Sequence, residues 1–516
     1  MLKNNFTEDL REMDESLTST DDDYQRLHLD HSELSKEYQE KLNHAKKSIS
    51  LLVKEDEFPD VNDFNQIYLE AWSKEAKIQG STSSTPKHGP WYIFYNNLEL
   101  VFQATQNNEL REKICSELLR AGIYTSDIVD DLRQIYTDEA TKTLTYSDVI
   151  DKKIEHCLAK SYESANAFLY EVEKNLTTKQ NNEPISVIEY GIALNVLAKR
   201  AYFPHKHVLK ELFDLIGDFF QIDITEIDKS KYQVYADGMK LFEVKNELNE
   251  KVGFFYIDFF ARNDHKVFPM PYTQILRYGI KELNIIPIVF ISLHTKAENR
   301  FDLGEVRALF HEMGHCLQQI FADNDKIWMN YDTVEFPAIL MELFAYQGRY
   351  VSQLSAEQEP QRLSEEEYYQ VHKAYQKIER QSLIAMLQQS IIELNLYSHP
   401  HKDSKEIIEE VRKEFKFKKT CDRTFRDSML PEYLYVGTSY TYPLSFVLAT
   451  DALNYLYKDH SKFYEKALQF RKLVFEMKDV DKLGKAFQKF VGRDKIDIEP
   501  FYKFWGIANK VGLKSI

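Results

Sequence analysis

Apolar residues recur at steps of three and four through most of the chain. The stretches "LELVFQATQNNELREKICSELLRAG" (98–122) and "SDVIDKKIEHCLAKSYESANAFLYEVEKNL" (147–176) keep that spacing and predict amphipathic helices. Between 231 and 295 the texture changes. "KYQVYAD", "GMKLFEVKN", "KVGFFYIDFFAR" and "NIIPIVFISLHT" are short, β-branched and aromatic, and bounded by Asp-Gly, Asn and Gly. They predict a small mixed or antiparallel sheet. Helical periodicity returns at Gly304 and continues to the end, with one long helix over 365–398 that stops before Pro400. The fold class that follows is mainly α, with one small sheet directly upstream of a helix near residue 310.

The edges of the pattern suggest an organisation. Residues 1–90 form a charged, partly helical segment ending in "IQGSTSSTPKHGP" (78–90), a small, polar stretch punctuated by Pro and Gly that predicts a flexible loop. Residues 91–516 then read as the main domain. It divides into a helical lobe (91–230), the sheet (231–295), a central helical region (303–356) and a C-terminal helical lobe (357–516).

Composition narrows the possibilities. A net charge of −16 argues against binding to nucleic acid or to an anionic membrane. No run of about 18 apolar residues suggests a membrane span, and the acidic start has no apolar core of a signal peptide. The four cysteines, Cys115, Cys157, Cys316 and Cys421, show no paired spacing, as expected of reduced thiols in a cytoplasmic protein.

The chemistry concentrates in "ALFHEMGHCLQQ" (308–319). His311 and His315 stand four apart, so both project from one helical face and can meet a single Zn²⁺. Glu312 lies about 100° round the helix, where it can serve as general base to a water on the metal. Downstream, "YDTVEFPAILMELFAY" predicts a second helix with Pro337 in its first turn and Glu335 at its N-terminus. Returning antiparallel, that helix would bring Glu335 to the metal as third ligand. Glu342, two turns on, would accept the outer N–H of a ligating imidazole. Gly314 inside the first helix predicts close packing. The competing reading is a surface helix with solvated His and Glu. In "FPHKH", His205 and His207 are read as an exposed helical face.

"GEVRALFHEMGHCLQQ" followed by "YDTVEFPAILMELFAY" resembles the thimet oligopeptidase, neurolysin and oligopeptidase F family of zinc peptidases. "YFPHKHVLKELFDLIGDFF", the strands above and "GRDKIDIEPFYKFWGI" are similar to further parts of that family in the same order, over roughly 90–510. The resemblance implies a neurolysin-like, two-lobed helical fold with a deep substrate channel and one Zn²⁺ on His311, His315 and Glu335, with Glu312 as base. Only about 90 residues precede the resemblance, which suggests a more open channel. A sheet strand beside the metal would pair with the substrate backbone. "IPIVFISLHT" (286–295) is the candidate, and a plain core strand is the alternative.

"YLYVGTSYTYPLSF" (433–446) resembles the family's Gly- and Tyr-rich substrate loop. That implies Tyr442 and Tyr435 as hydrogen-bond donors to the reacting carbonyl, and Tyr440 and Gly437 as substrate contacts. Aromatic core packing is the alternative for each tyrosine. Two positions depart from the family pattern: Leu430 stands where a histidine is usual, and Ser439 where a tyrosine is.

The expected function is a monomeric zinc metalloendopeptidase of the cytoplasm, cutting internal bonds of short unfolded oligopeptides with a zinc-activated water. The alternatives are a dipeptidyl carboxypeptidase of the same chemistry and a non-catalytic, zinc-containing peptide-binding protein.

Overall fold

The computed structural model describes residues 150–176, 203–228, 238–260, 271–295, 299–322, 331–355, 380–414, 437–477 and 483–506, with short breaks inside these stretches. The expectations for residues 1–149, for Tyr435 and for Leu430 lie outside them. The described helices are α1 (Tyr162–Leu176), α2 (His205–Phe220), α3 (Leu303–Phe321), α4 (Tyr331–Phe344), α5 (Ser404–Glu414), α6 (Thr441–Tyr457), α7 (Phe463–Phe470), α8 (Leu483–Val491) and α9 (Glu499–Phe504). A further helix covers 386–398 and ends before Pro400, as the sequence predicts. Among the described residues no helix is long and apolar enough to cross a membrane.

The sheet is mixed. Its strands are β2 (Asp223–Glu226), β3 (Lys240–Lys245), β4 (Lys251–Phe260), β5 (Tyr272–Arg277) and β6 (Ile288–Thr295), in the order β2-β3-β4-β6-β5. Only the β4–β6 pair is parallel. A separate two-residue ladder joins β1 (Phe203–Pro204) to β7 (Arg300–Phe301).

Two expectations need correction. β6, expected to offer the substrate a free edge, is interior: β4 and β5 cover its two sides. Its alternating Val289, Ile291 and Leu293 are 0–2% exposed and belong to the core. The edge beside the central helix is instead β5. The sheet also starts earlier than residue 231, because β2 is one of its strands.

The enclosure of α3 explains why the site can be built there. Asp302 and Glu305 form a reciprocal cap: each side chain accepts the other's backbone N–H at 2.8 Å. One face of α3 packs on β4, β5 and β6, and another on α4, which in turn packs on α6. Leu309, Phe310, Met313 and Leu317 are all 0% exposed. At about 1.5–3 kcal/mol per large apolar side chain, this helix is held firmly on both sides.

His205 also differs from expectation. Its ring is enclosed by Phe259 at 5.5 Å and Phe301 at 4.1 Å, and burial lowers its pKa to about 4. It is a neutral packing residue and not part of an exposed face. His207 meets the Gln353 carbonyl at 2.9 Å.

Candidate metal centre

α3 and α4 run antiparallel, and their contacts form rungs. His311 meets Glu342, both histidines face Glu335, and Gly314 lies against Pro337 and Ala338. Gly314 makes the rest possible: a Cβ there would stand 2.5 Å from Ala338 Cα and 2.7 Å from the Pro337 carbonyl oxygen. Close packing was the expectation at this glycine, and the backbone contact supplies the reason. Pro337, by contrast, is not in the first turn. α4 starts at Tyr331, so Pro337 sits inside the helix and Glu335 in its second turn. A proline there removes a ladder hydrogen bond; it falls where the two helices are in closest contact.

One ligand atom from each of His311, His315 and Glu335 lies within 4.8 Å of the others. Glu335 Oε2 is 3.4 Å from His311 Nε2 and 3.5 Å from His315 Nε2. The two imidazoles are steeply inclined at 78°, with centroids 4.9 Å apart. Glu335 is 4% exposed, and its Oε2 makes no hydrogen bond among the described residues. A buried carboxylate oxygen without a donor is costly. Bond lengths of about 2.0–2.1 Å around a tetrahedral zinc put neighbouring ligand atoms about 3.3–3.4 Å apart. The two carboxylate–imidazole spacings match that edge, and the third, between the imidazoles, lies within 4.8 Å, so the three side chains can close on such an ion.

Burial opposes charge on His311, yet the neighbouring carboxylates of Glu335 and Glu342 raise its pKa well above the usual histidine value. Burial would also raise Glu335, but the charges of His315 and His311 hold it below the ordinary carboxylate range. Glu342 is likewise held low against its burial by His311, with Arg307 contributing. Both carboxylates are thus held ionised by the positive charge of their neighbours.

Glu312 is 5% exposed and meets the sheet at β5. Thr273 of β5 donates its hydroxyl to Glu312, with Oε2 at 2.7 Å and the Glu312 backbone carbonyl at 3.1 Å. Neither β5 nor Thr273 was predicted. "YTQILR" shows no period-two alternation, and its six residues are too short to stand out.

The downstream loop resolves into parts with different surroundings. Tyr442 is half-buried in the first turn of α6, the helix that packs on α4. Tyr440 is 0% exposed and so has no surface to offer a substrate. Its hydroxyl lies beside Asp332 and Cys157; burial and the Asp332 charge raise its pKa well above the usual value. For Tyr440 the packing alternative describes its position. Gly437 adopts φ +72°, and its N–H donates to the buried Glu393. Ser439, the departure from the family pattern, donates to the other Glu393 oxygen at 2.6 Å.

Residues 101–487 match peptidase family M3. Among curated relatives, "Probable cytosolic oligopeptidase A" of Arabidopsis thaliana is 20% identical over 373 residues, covering 63% of this chain and 53% of the relative. Oligopeptidase A of Haemophilus influenzae is 26% identical over 179 residues, or 32% of this chain and 26% of the relative. The chain thus spans about half the length, or less, of the curated relatives it matches. A crystal structure described as a "putative peptidase" from Chlamydophila abortus shares the fold, with a TM-score of 0.50 at 12% identity, covering 85% of this chain and 71% of that one.

Proposed function

The chain belongs to peptidase family M3, and from that premise we propose that it is a zinc-dependent endopeptidase of short, unfolded oligopeptides. One observation carries the reading: ligand atoms of His311, His315 and a buried Glu335, whose Oε2 has no hydrogen bond among the described residues, lie within 4.8 Å of one another, with Glu312 adjacent on the same helix.

When bound, zinc supplies a Lewis acid that polarises both water and the scissile carbonyl. The chain's own residues supply the rest. His311, His315 and Glu335 hold the ion, and Glu342 accepts the outer N–H of His311 so that Nε2 is left for the metal. Glu312 accepts the proton of the attacking water and returns it to the leaving amine. Thr273 holds one Glu312 oxygen in place, which leaves the other for the proton. β5 is the sheet edge beside α3, and an extended peptide added to its outer side would lie next to Glu312. Tyr442 is the described candidate for hydrogen bonding the carbonyl oxygen as it gains charge.

The test is cleavage of a mixed library of end-blocked, quenched peptides, with and without a chelator and with zinc restored. Chelation should abolish turnover and zinc should recover it. Glu312→Gln should retain zinc and lose about 10²–10⁴ in rate. Full activity after chelation, or in Glu312→Gln, rules the reading out. Products cut internally in end-blocked peptides separate an endopeptidase from a dipeptidyl carboxypeptidase.

A further inference from the structure

Behind the candidate ligands lies a polar chain that neither the motif nor the family match assigns. Arg307 stands one turn before His311 on α3, and Tyr346 one turn beyond Glu342, just past the end of α4. The rung between them continues the ladder: Arg307 Nη1 donates to the Tyr346 hydroxyl. Tyr346 donates onward to Glu342 Oε1 at 3.3 Å, and Glu342 Oε2 faces His311 Nδ1 at 3.1 Å. The Arg307 guanidinium carbon lies 4.9 Å from the centre of the Tyr346 ring.

The chemistry of the donors gives this chain one direction. A guanidinium can only donate, so the Tyr346 oxygen must accept from it and spend its single proton on Glu342. An ionised Glu342 has only acceptor sites, so His311 must present Nδ1–H to it. Nε2 is then the ring nitrogen on the side of Glu335 and His315. Arg307 also places positive charge near Glu342 from α3, and it sits 39 residues from Tyr346 in sequence. Tyr346 is held in turn by edge contacts from Phe504 at 5.6 Å and Trp505 at 6.4 Å. The hydroxyl is therefore positioned by the packing of α9 and the residue that follows it.

We propose that Arg307 and Tyr346 are positioning residues that act through Glu342 to set the tautomer of His311 and to strengthen metal binding at this site. The inference rests on reading His311, His315 and Glu335 as a zinc site. It adds an outer pair of residues, on the rung next to Glu342, to the set that determines affinity.

The experiment measures zinc affinity of the full chain by competition with a chromophoric chelator, alongside the thermal midpoint of the metal-free protein. Tyr346→Phe keeps the ring and its packing and removes only the hydroxyl. Arg307→Met keeps length and removes the charge. Each should weaken zinc binding by about tenfold, at the lower end of the effect of outer partners on metal affinity. The metal-free midpoint of Tyr346→Phe should stay close to that of the parent. Arg307→Lys, still a cation, should recover part of the loss. In a Glu342→Gln background, Tyr346→Phe should add little, because its route to the metal is already cut. Parent-like zinc affinity in Tyr346→Phe and Arg307→Met, while His311→Ala loses zinc, would overturn the inference alone. So would full additivity with Glu342→Gln. If His311→Ala keeps parent affinity, the zinc reading itself falls.

Discussion

Glu335 and Glu393 are almost equally removed from water, at 4% and 1% exposure, yet their surroundings differ in kind. Glu393 has a donor for each oxygen, the Gly437 N–H and the Ser439 hydroxyl. Ser390 adds a bond to the Ser439 carbonyl at 3.0 Å. Glu335 has two imidazole nitrogens at 3.4–3.5 Å and, among the described residues, no hydrogen bond on Oε2. A buried carboxylate whose partners are complete holds the fold together. One whose geometry is complete but whose partners are missing is arranged for something else. That contrast supports reading the rungs of α3 and α4 as a binding site, while Glu393, Gly437 and Ser439 anchor the start of α6.

The comparison can be broken first at Glu335. Glu335→Ala should abolish turnover, and it should also erase the rise in thermal stability on adding zinc. That rise corresponds to about 4 kcal/mol when zinc is present at about 1,000 times its dissociation constant. Calorimetry with and without zinc checks it, and a surviving zinc-dependent shift would remove Glu335 from the ligand set.

Asp332 sharpens the contrast from the other side. It is fully buried, accepts the Leu158 N–H, and burial raises its pKa to about 6. A carboxyl whose folded pKa lies above the unfolded value near 3.8 favours the folded state while protonated. That contribution is complete below about pH 3.8 and is lost as pH rises through about 6. Asp332→Asn should therefore gain stability relative to the parent between pH 4 and 7, by up to about 3 kcal/mol. Parallel stability–pH curves in denaturant melts would refute the assignment.

Glu393→Ala removes the acceptor of two donors and should cost about 2 kcal/mol whether or not zinc is present. A loss seen only with zinc would place Glu393 in the metal site after all. The smallest expected effect is at Thr273. Thr273→Val should lower kcat by about tenfold, or about 1.4 kcal/mol in barrier, with zinc content and KM nearly unchanged. Thr273→Ser should restore it. Equal activity in all three proteins would show that the hydroxyl does not orient Glu312.

How much of this was legible beforehand differs between the two regions. The metal rungs follow from local periodicity: His311 and His315 share a face by their spacing, and Glu335 and Glu342 share one by theirs. Gly314 signals the close approach that joins the two faces. The anchor has no such signature, because Glu393 pairs with residues 44 and 46 positions away through contacts that no period records. Ser439 looked like a lost tyrosine and is instead one of the donors that complete Glu393. Tyr440 looked like a substrate contact because tyrosines recur in the motif, but the loop turns it inward toward Asp332.

The sequence by itself determined the mainly helical character, a small mixed or antiparallel sheet upstream of α3, and the candidate ligand trio and base, since each depends on residue type and short-range spacing along one element. Only the tertiary structure decided which strand lies at the edge of the sheet among the described residues. Pairing order in a sheet is a long-range choice, and it put β6 inside and β5 outside. It also decided what stands behind the metal. Arg307, Tyr346 and Thr273 are ordinary residues in the chain, and they gain a role only where antiparallel helices and a sheet edge bring them to Glu342 and Glu312.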